Sequence, residues 1–477
     1  MNCKYAFLLS LVFCHLGASA MTLEEFLSEV RKRNKDFQAL GTSQEVAEDR
    51  REAGDIGLSP VLTIAGGYLS DEKQPQTIGT KVVSHQYSVG IAKEFSSGTQ
   101  VSLSGNVQQI QISDIPQGSP SYLSNYALGS LGISLSQSLW KNAFGAGTRL
   151  RQKRQASAAE LEKQTYNLQQ RQILIDAETA YWNYLYQQDE LQMRRESLER
   201  AKRIETWLRR RYRDGINDKA DYLNAQALTA SRDLLLTTAR DHALAAEQSI
   251  RVLLELDPKE KPPVLDSDFK KPRDLRVLVG ADLKGVSSGR VVRLDAYLAS
   301  LEARTKSIGA QEVADALKPD LVLQAAYNTN SNIQNTTTQA LNKINDLDIP
   351  TTQVGLKFTY VFDTDAKISQ GDVSRKEALA AQLKSERKMI ESESSWSELQ
   401  RRYGEMLKQI EMADRISQVQ SARAREQAIK LSRGRAVTSD VIISEEDAST
   451  SLLTLNRLHV EARKMEAQSR LFVRLSE

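Results

Sequence analysis

Leu58-Ser-Pro-Val-Leu-Thr-Ile-Ala-Gly-Gly-Tyr68 is echoed by Leu317-Lys-Pro-Asp-Leu-Val-Leu-Gln-Ala-Ala-Tyr327, at a constant offset of 259 residues. In each copy a helical approach ends at a proline and a strand-like alternation follows. Pro60 and Pro319 disfavour helix at the preceding residue and remove an interior helical hydrogen bond. Both are read as helix-to-strand transitions, set twice in register. Beyond Pro60, Leu62, Ile64 and Tyr68 share one face; beyond Pro319, Leu321, Leu323, Ala325 and Tyr327 do.

The doubling extends along the chain. Gly215 with Asp221 matches Gly434 with Asp440 at an offset of 219, and Leu139-Trp140 matches Val361-Phe362 at 222. Each half reads helix, proline, strand, loop, strand, long helix, glycine turn, return helix. Residues 21–257 form the first repeat, 258–289 a polar linker with Pro262, Pro263 and Pro272, and 290–477 the second. From Pro60 to Trp140 is 80 residues, but from Pro319 to Phe362 only 43. The first half thus has 37 extra residues, room for an added hairpin at 85–111.

Residues 148–257 contain one glycine and no proline, and 372–477 contain Gly404 and Gly434 only. Both stretches are rich in good helix formers. As one helix, 148–214 would run about 100 Å. Charges recur too often for it to span lipid. Ala177, Tyr184, Leu191 and Leu198 keep a seven-residue beat, and Leu223, Ala227, Ala230, Leu234, Thr237 and Leu244 a four-three spacing broken at Asp241. These seams predict helices packed side by side. Elsewhere the period is two. Leu131, Ile133 and Leu135 alternate with Ser134 and Ser136; Val354, Leu356 and Phe358 alternate with Gln353, Lys357 and Thr359. Tyr87, Val89, Ile91 and Phe95 make another such run, and Val101, Leu103 and Val107 another. Two architectures fit: strands of a transmembrane barrel, or a soluble sandwich with one wet face.

The first twenty residues favour the barrel. Lys4, an apolar run from Tyr5 to Leu16 and Ala18-Ser19-Ala20 form a cleavable secretory signal, 1–20, too short to span. Cys3 and Cys14 lie within it, so the mature chain is expected to have no disulfide or thiolate metal site. The balance of 64 basic against 61 acidic residues in 477 gives +3, which argues against nucleic-acid binding.

The doubled Pro-x-Leu elements, together with Tyr212-Arg-Asp-Gly and Asp221-Tyr-Leu-Asn-Ala-Gln226 and their counterpart around Gly434 and Asp440, resemble the TolC family of outer-membrane efflux proteins over nearly the whole mature chain. The resemblance implies an α+β membrane protein: a homotrimeric β-barrel in outer-membrane lipid, continued through the periplasm by a long α-helical coiled-coil barrel. It implies docking to a periplasmic adaptor (membrane fusion) protein and an inner-membrane RND or ABC transporter, giving the exit duct of a tripartite efflux or type I secretion system. It also places the turns at Gly215 and Gly434 at the periplasmic entrance, with Asp440 and its counterpart Asp221 at the aperture. Arg213, Arg433 and Arg435, with Arg209, Arg210 and Arg211, would form a basic collar facing the adaptor. The sequence departs from the family where a second acid falls on Ile443 and a tyrosine–arginine latch on Leu431 and Ala436.

The residues reach part of this on their own. Span-length strands must pair every backbone group in lipid, so the barrel must close. One chain offers four to six strands, whereas single-chain barrels start near eight, so several copies are required. The family's four strands per copy make twelve. Two placements are open to the added hairpin, an external loop or a wider barrel, and the loop is the expectation. The C-terminal Arg-Leu-Ser-Glu477 is expected to be a helical tail. No catalytic, cofactor or metal motif is present: His85, His242 and His459 are far apart, and no phosphate-cradling loop or nucleophile elbow occurs. A non-enzyme is expected. The rival is a periplasmic or surface coiled-coil scaffold protein with a soluble β head.

Overall fold

The computed structural model describes residues 20–72, 79–115, 117–118, 124–257, 260, 262–266, 273, 275, 280–283, 291–344, 346, 349–433 and 435–475. The expected leader, Ala20 apart, and most of the expected linker lie outside them. The strands are β1 (Val61–Asp71), β2 (Lys81–Glu94), β3 (Thr99–Ser113), β4 (Asn125–Ser138), β5 (Gly280–Leu283), β6 (Val291–Arg293), β7 (Asp320–Asn330), β8 (Pro350–Thr359) and β9 (Phe472–Leu475). The helices are α1 (Leu23–Arg33), α2 (Lys35–Ala53), α3 (Ala146–Arg213), α4 (Lys219–Leu253), α5 (Leu294–Ala316), α6 (Thr337–Ile344), α7 (Thr364–Ser432) and α8 (Thr438–Gln468). The two glycine-poor stretches become α3, 68 residues, and α7, 69 residues. The chain forms two compact units, each drawing on both halves of the sequence.

One unit comprises Gln44–Gln164 and Tyr297–Lys388. It holds a six-stranded sheet in the order β1-β2-β3-β4-β7-β8, antiparallel throughout. β1 starts directly after Pro60 and β7 directly after Pro319. The expectation of an external loop at 85–111 is overturned. These residues are most of β2 and β3, paired along their length with each other and with β1 and β4. The physical reason is visible in the pattern. Both strands keep the period-two alternation of their neighbours, so leaving them outside the sheet would strand two rows of apolar side chains and an unpaired ladder.

The other unit comprises Met1–Ser43, Thr165–Ala296 and Met389–Glu477. α1 starts on a reciprocal capping box: Glu25 N–H donates to Thr22 Oγ1 at 3.3 Å, and Thr22 N–H to Glu25 Oε2 at 2.8 Å. It lays Phe26 and Val30 on Tyr181, Trp182, Leu185 and Ile250. The Phe26 and Tyr181 ring centroids are 5.3 Å apart, and Tyr181 meets Trp182 edge-on at 4.9 Å. Ala177, Leu191 and Leu198 of the expected α3 seam are buried, and Tyr184 packs on the same core. On α4 the expected seam is displaced. Leu223, Ala227, Ala230, Leu234, Thr237 and Leu244 are all exposed, while Ala225, Ala239, Ala243, Ala246 and Ile250 are buried. The small alanines face the chain's own neighbours, where backbones approach closely. The leucines lie exposed on another face of the helix.

The C-terminal expectation also fails. Residues 472–475 leave the helix as β9, parallel to β5 and antiparallel to β6. β9 carries Phe472 and Val473 into the core, and Phe472 packs on Trp396 at 5.0 Å. Burying that apolar pair outweighs continuing a helix. The same unit contains a fully buried ion pair, Arg463–Glu466 at 2.6 Å, and a second, Arg470–Glu178 at 2.7 Å, in which the carboxylate is buried and the guanidinium partly exposed. The Tyr403 hydroxyl lies 2.7 Å from Glu466 Oε1 and 2.8 Å from the Arg273 carbonyl oxygen, two acceptors that share its one proton.

Candidate functional site

The register divides the six-stranded sheet into two chemically distinct faces. One carries Leu62, Ile64 and Tyr68 of β1, Tyr87, Val89 and Ile91 of β2, Leu103 and Val107 of β3, Leu131, Ile133 and Leu135 of β4, Leu323 and Tyr327 of β7, and Val354, Leu356 and Phe358 of β8. The opposite face carries Gln86, Ser88 and Gly90, then Ser102, Ser104 and Asn106, then Ser130, Gly132, Ser134 and Ser136, then Gln324 and Asn328, then Gln353 and Lys357. Ser102 and Ser134 share a 2.6 Å hydrogen bond across that face. A soluble sandwich would cover the apolar face with a second layer. Here Ile64 is 71% and Val354 70% exposed. Among the described residues only α6 lies on it, at the end where Ile344 packs over Gly129. Near the other end Trp140 meets Phe358 at 6.5 Å and Phe358 stacks on Tyr360, an aromatic cluster of the kind that marks a membrane interface.

The β2–β3 hairpin is fastened to the strand-to-helix junction. Its turn closes with Phe95 N–H to the Thr99 carbonyl and Gly98 N–H to the Phe95 carbonyl, both 2.9 Å. Gly98 (φ +68°) sits against Gly145 (φ +81°), and a Cβ on Gly145 would fall 1.8 Å from the Ser96 carbonyl oxygen. Both positions need glycine for two reasons, the left-handed backbone and the closeness of the chains. Asn142 organises the junction from the other side. Its backbone N–H donates to buried Asp315 at 2.9 Å, and its Oδ1 accepts from Thr148 N–H at 2.9 Å. No sequence motif marked this cluster, because its members meet only across strands.

The helix-tip turn between α3 and α4 closes as a Schellman motif. Ile216 N–H donates to the Arg211 carbonyl at 2.9 Å, and Gly215 N–H to the Tyr212 carbonyl at 3.1 Å, with Gly215 at φ +72°. Between α7 and α8 the Arg435 N–H reaches the Lys430 carbonyl at 2.8 Å, the same six-to-one closure. Gly434 lies outside the described residues. Asp221 is half-buried and engaged: Asn217 donates to it at 3.0 Å and accepts from Arg211 Nε at 2.7 Å, and Arg211 stacks over Trp207. Asp440 stands exposed in the first turn of α8. The tip therefore does not treat its two acids alike. Arg213, Arg433 and Arg435 are exposed, whereas Arg209 is taken by Glu205 at 2.6 Å. Leu431 is buried in a groove with Trp207 and Val441, where the latch residue was absent from the sequence. Asn217 and Trp207 carry this turn and had no sequence signal beyond their place beside it.

Burial, and then the hydrogen bond to the Glu466 carboxylate, push the Tyr403 phenol well above the ordinary tyrosine range; burial does the same to Tyr181. Among the described residues no group of His, Cys, Asp and Glu could hold a metal ion, and no helix is long and apolar enough to cross a membrane.

No family model and no curated protein sequence matches the chain. Solved structures do. The outer membrane protein VceC from Vibrio cholerae aligns with a TM-score of 0.64 at 14% identity, over 93% of this chain and 94% of that one. The Campylobacter jejuni outer membrane channel CmeC gives 0.66 at 12%, over 94% and 85%. The open state of the Neisseria gonorrhoeae MtrE outer membrane channel gives 0.64 at 12%, over 95% and 90%. The chain has the fold of these proteins, of which CmeC and MtrE are described as outer membrane channels.

Proposed function

We propose that the protein is an outer-membrane exit duct. Three copies close a β-barrel in outer-membrane lipid, and their long helices carry the duct through the periplasm. The duct is passive; a periplasmic adaptor and an inner-membrane RND or ABC transporter supply selection and energy for efflux or type I secretion. One observation carries this reading: a sheet with an apolar and a polar face whose two outer strands, β1 and β8, have no strand partner on one side among the described residues. Such a sheet has no stable place in lipid until its edges are paired. The bare leucine seam of α4, with Leu234 69% exposed, supports association along the helices as well.

Within this reading Asp440 lines the periplasmic aperture, where a threefold ring of carboxylates would favour cations. Asp221 stands behind it, engaged with Asn217. Gly215 and Gly434 make the tip turns, and Arg213, Arg433 and Arg435 meet adaptor carboxylates. Pro60 and Pro319 set the boundary between water and lipid.

Fractionation with chemical cross-linking tests the proposal against the soluble-scaffold rival. The expected result is a detergent-extractable outer-membrane protein that cross-links to a trimer. A chain released with the periplasmic contents as a monomer would refute it.

A further inference from the structure

The sheet has two open edges, and they are compatible with each other. Six antiparallel strands are an even number, so β1 and β8 run in opposite directions and β8 of one copy can pair antiparallel with β1 of the next. Neither edge is protected as edges in water are. β1 carries no charge before its last residue, Asp71, and no proline; β8 has Lys357 alone, and Pro350 only at its start.

Stagger gives the geometry. Following the paired register from Val61 through Ala92, Ser102 and Ser134 leads to Ala326, six residues beyond Asp320. Val61 and Asp320 both follow the proline that ends the incoming helix, so they mark the same end of the sheet. Six residues of stagger over four strand-to-strand steps is a tilt of about 45°, at ~3.3 Å per residue and ~4.8 Å per step. Tilted so, the eleven residues of β1 rise about 26 Å, matching the ~25 Å apolar band of outer-membrane barrels. β2 and β3 carry the same apolar–polar division as the strands flanking them, so they stand at the same depth.

We infer that all six strands of each copy enter the membrane wall, and that β8 of one copy pairs with β1 of the next to close an eighteen-stranded barrel. The trimer count rests on the exit-duct reading; the six-stranded contribution rests on the sheet. At a 45° tilt eighteen strands enclose a ring about 39 Å across, backbone to backbone, where twelve would give about 26 Å. At mid-depth the hairpin's share of the inner surface is Gln86, Ser88, Gly90, Ser102, Ser104 and Asn106, uncharged and wettable; on the same face Glu94 stands at the turn end, and Val82, Ile110 and Ile112 at the other. The added strands therefore widen the water-filled bore without adding a charge at mid-depth. The interaction surface is the β1 and β8 backbone, and its partner is a second copy of this chain.

End-on imaging of the full chain purified in detergent tests this. The expected particle has three copies around a ring of eighteen strands near 39 Å. Three copies around twelve strands near 26 Å, with residues 81–113 off the wall, would overturn the inference and leave the exit-duct reading intact. Two copies closing twelve strands would overturn both the trimer and the eighteen-stranded ring. A solitary chain dispersed without detergent would overturn this inference together with the function proposed above.

Discussion

Val89 and Ser88 are neighbours on β2 that point to opposite faces. Val89 is 52% exposed and lies between Ile64 and Gly105; Ser88 lies between Ala65 and Asn106. Val89 is five residues from Glu94, the end of the strand. At a 45° tilt that puts it about 12 Å into the apolar band, close to its middle. In the proposed barrel, Val89→Arg would therefore place a guanidinium at mid-depth in lipid, at about 2–4 kcal/mol per copy. Three copies in one closed barrel accumulate about 6–12 kcal/mol, comparable with the 5–15 kcal/mol that holds a typical protein folded. Ser88→Arg puts the same charge in the water-filled bore, where a surface change costs within about 0.5 kcal/mol. The assay is the outer-membrane level of each variant, with the urea midpoint of the extracted oligomer. Val89→Arg should nearly abolish the assembled form, and Ser88→Arg should leave it near wild type. Equal tolerance of both would refute the placement of β2 in the lipid-facing wall, since in a solvated hairpin neither side is special.

Neutralising the aperture acid, Asp440→Asn, should move the cation-to-anion permeability ratio in planar bilayers toward unity; an unchanged ratio removes Asp440 from the conduction path. Gly215→Ala meets no neighbouring atom, so its cost is purely the left-handed backbone, about 1–2 kcal/mol. Amide exchange at 211–219 should then accelerate roughly 5–30-fold while the oligomer stays intact, and unchanged exchange would show that the turn does not need glycine. The folded Tyr403 and Tyr181 phenols titrate above their unfolded value near 10, so the neutral forms stabilise the fold below about pH 10 and that contribution is lost as pH rises through the folded values. Ultraviolet titration should show these phenols ionising only as the unit unfolds; ionisation alongside exposed tyrosines near pH 10 would contradict their burial.

Much of the fold was legible because two periods dominate the sequence. The gap in glycine and proline from 148 to 214 marks α3 to within a few residues, and the alternation at 61–69, 128–140, 320–327 and 352–362 marks four strands. The hairpin was legible too, in Tyr87, Val89 and Ile91 against Leu103 and Val107. Its placement follows from where that alternation can be satisfied, in the sheet between β1 and β4, and not from the four strands per copy of the similar family. Other features had no one-dimensional signal. The Gly98–Gly145 contact joins residues separated by an entire hairpin return, and β9 exists because β5 and β6 lie beside it. On α4 the four-three spacing of leucines faces away from its own chain. Periodicity reports that a stripe will be covered; it does not say by which molecule.

In the proposed exit duct, that distinction fixes the order in which copies must assemble. The leucine seam of α4 costs only hydrophobic exposure in water, about 25 cal/mol for each Å² left bare, so a single copy can tolerate it. The edges of β1 and β8 differ in kind. Roughly half the backbone groups of their eleven and ten residues point away from the sheet. In hydrocarbon each unpaired group costs several kcal/mol, so an open edge is prohibitive by tens of kcal/mol. A lone copy cannot enter lipid and wait for partners. Association along the helices and pairing of the edges must precede or accompany insertion, and once the ring is closed, reopening it incurs the full edge penalty. Assembly of the helical seams is accordingly reversible, while closure of the wall is effectively permanent.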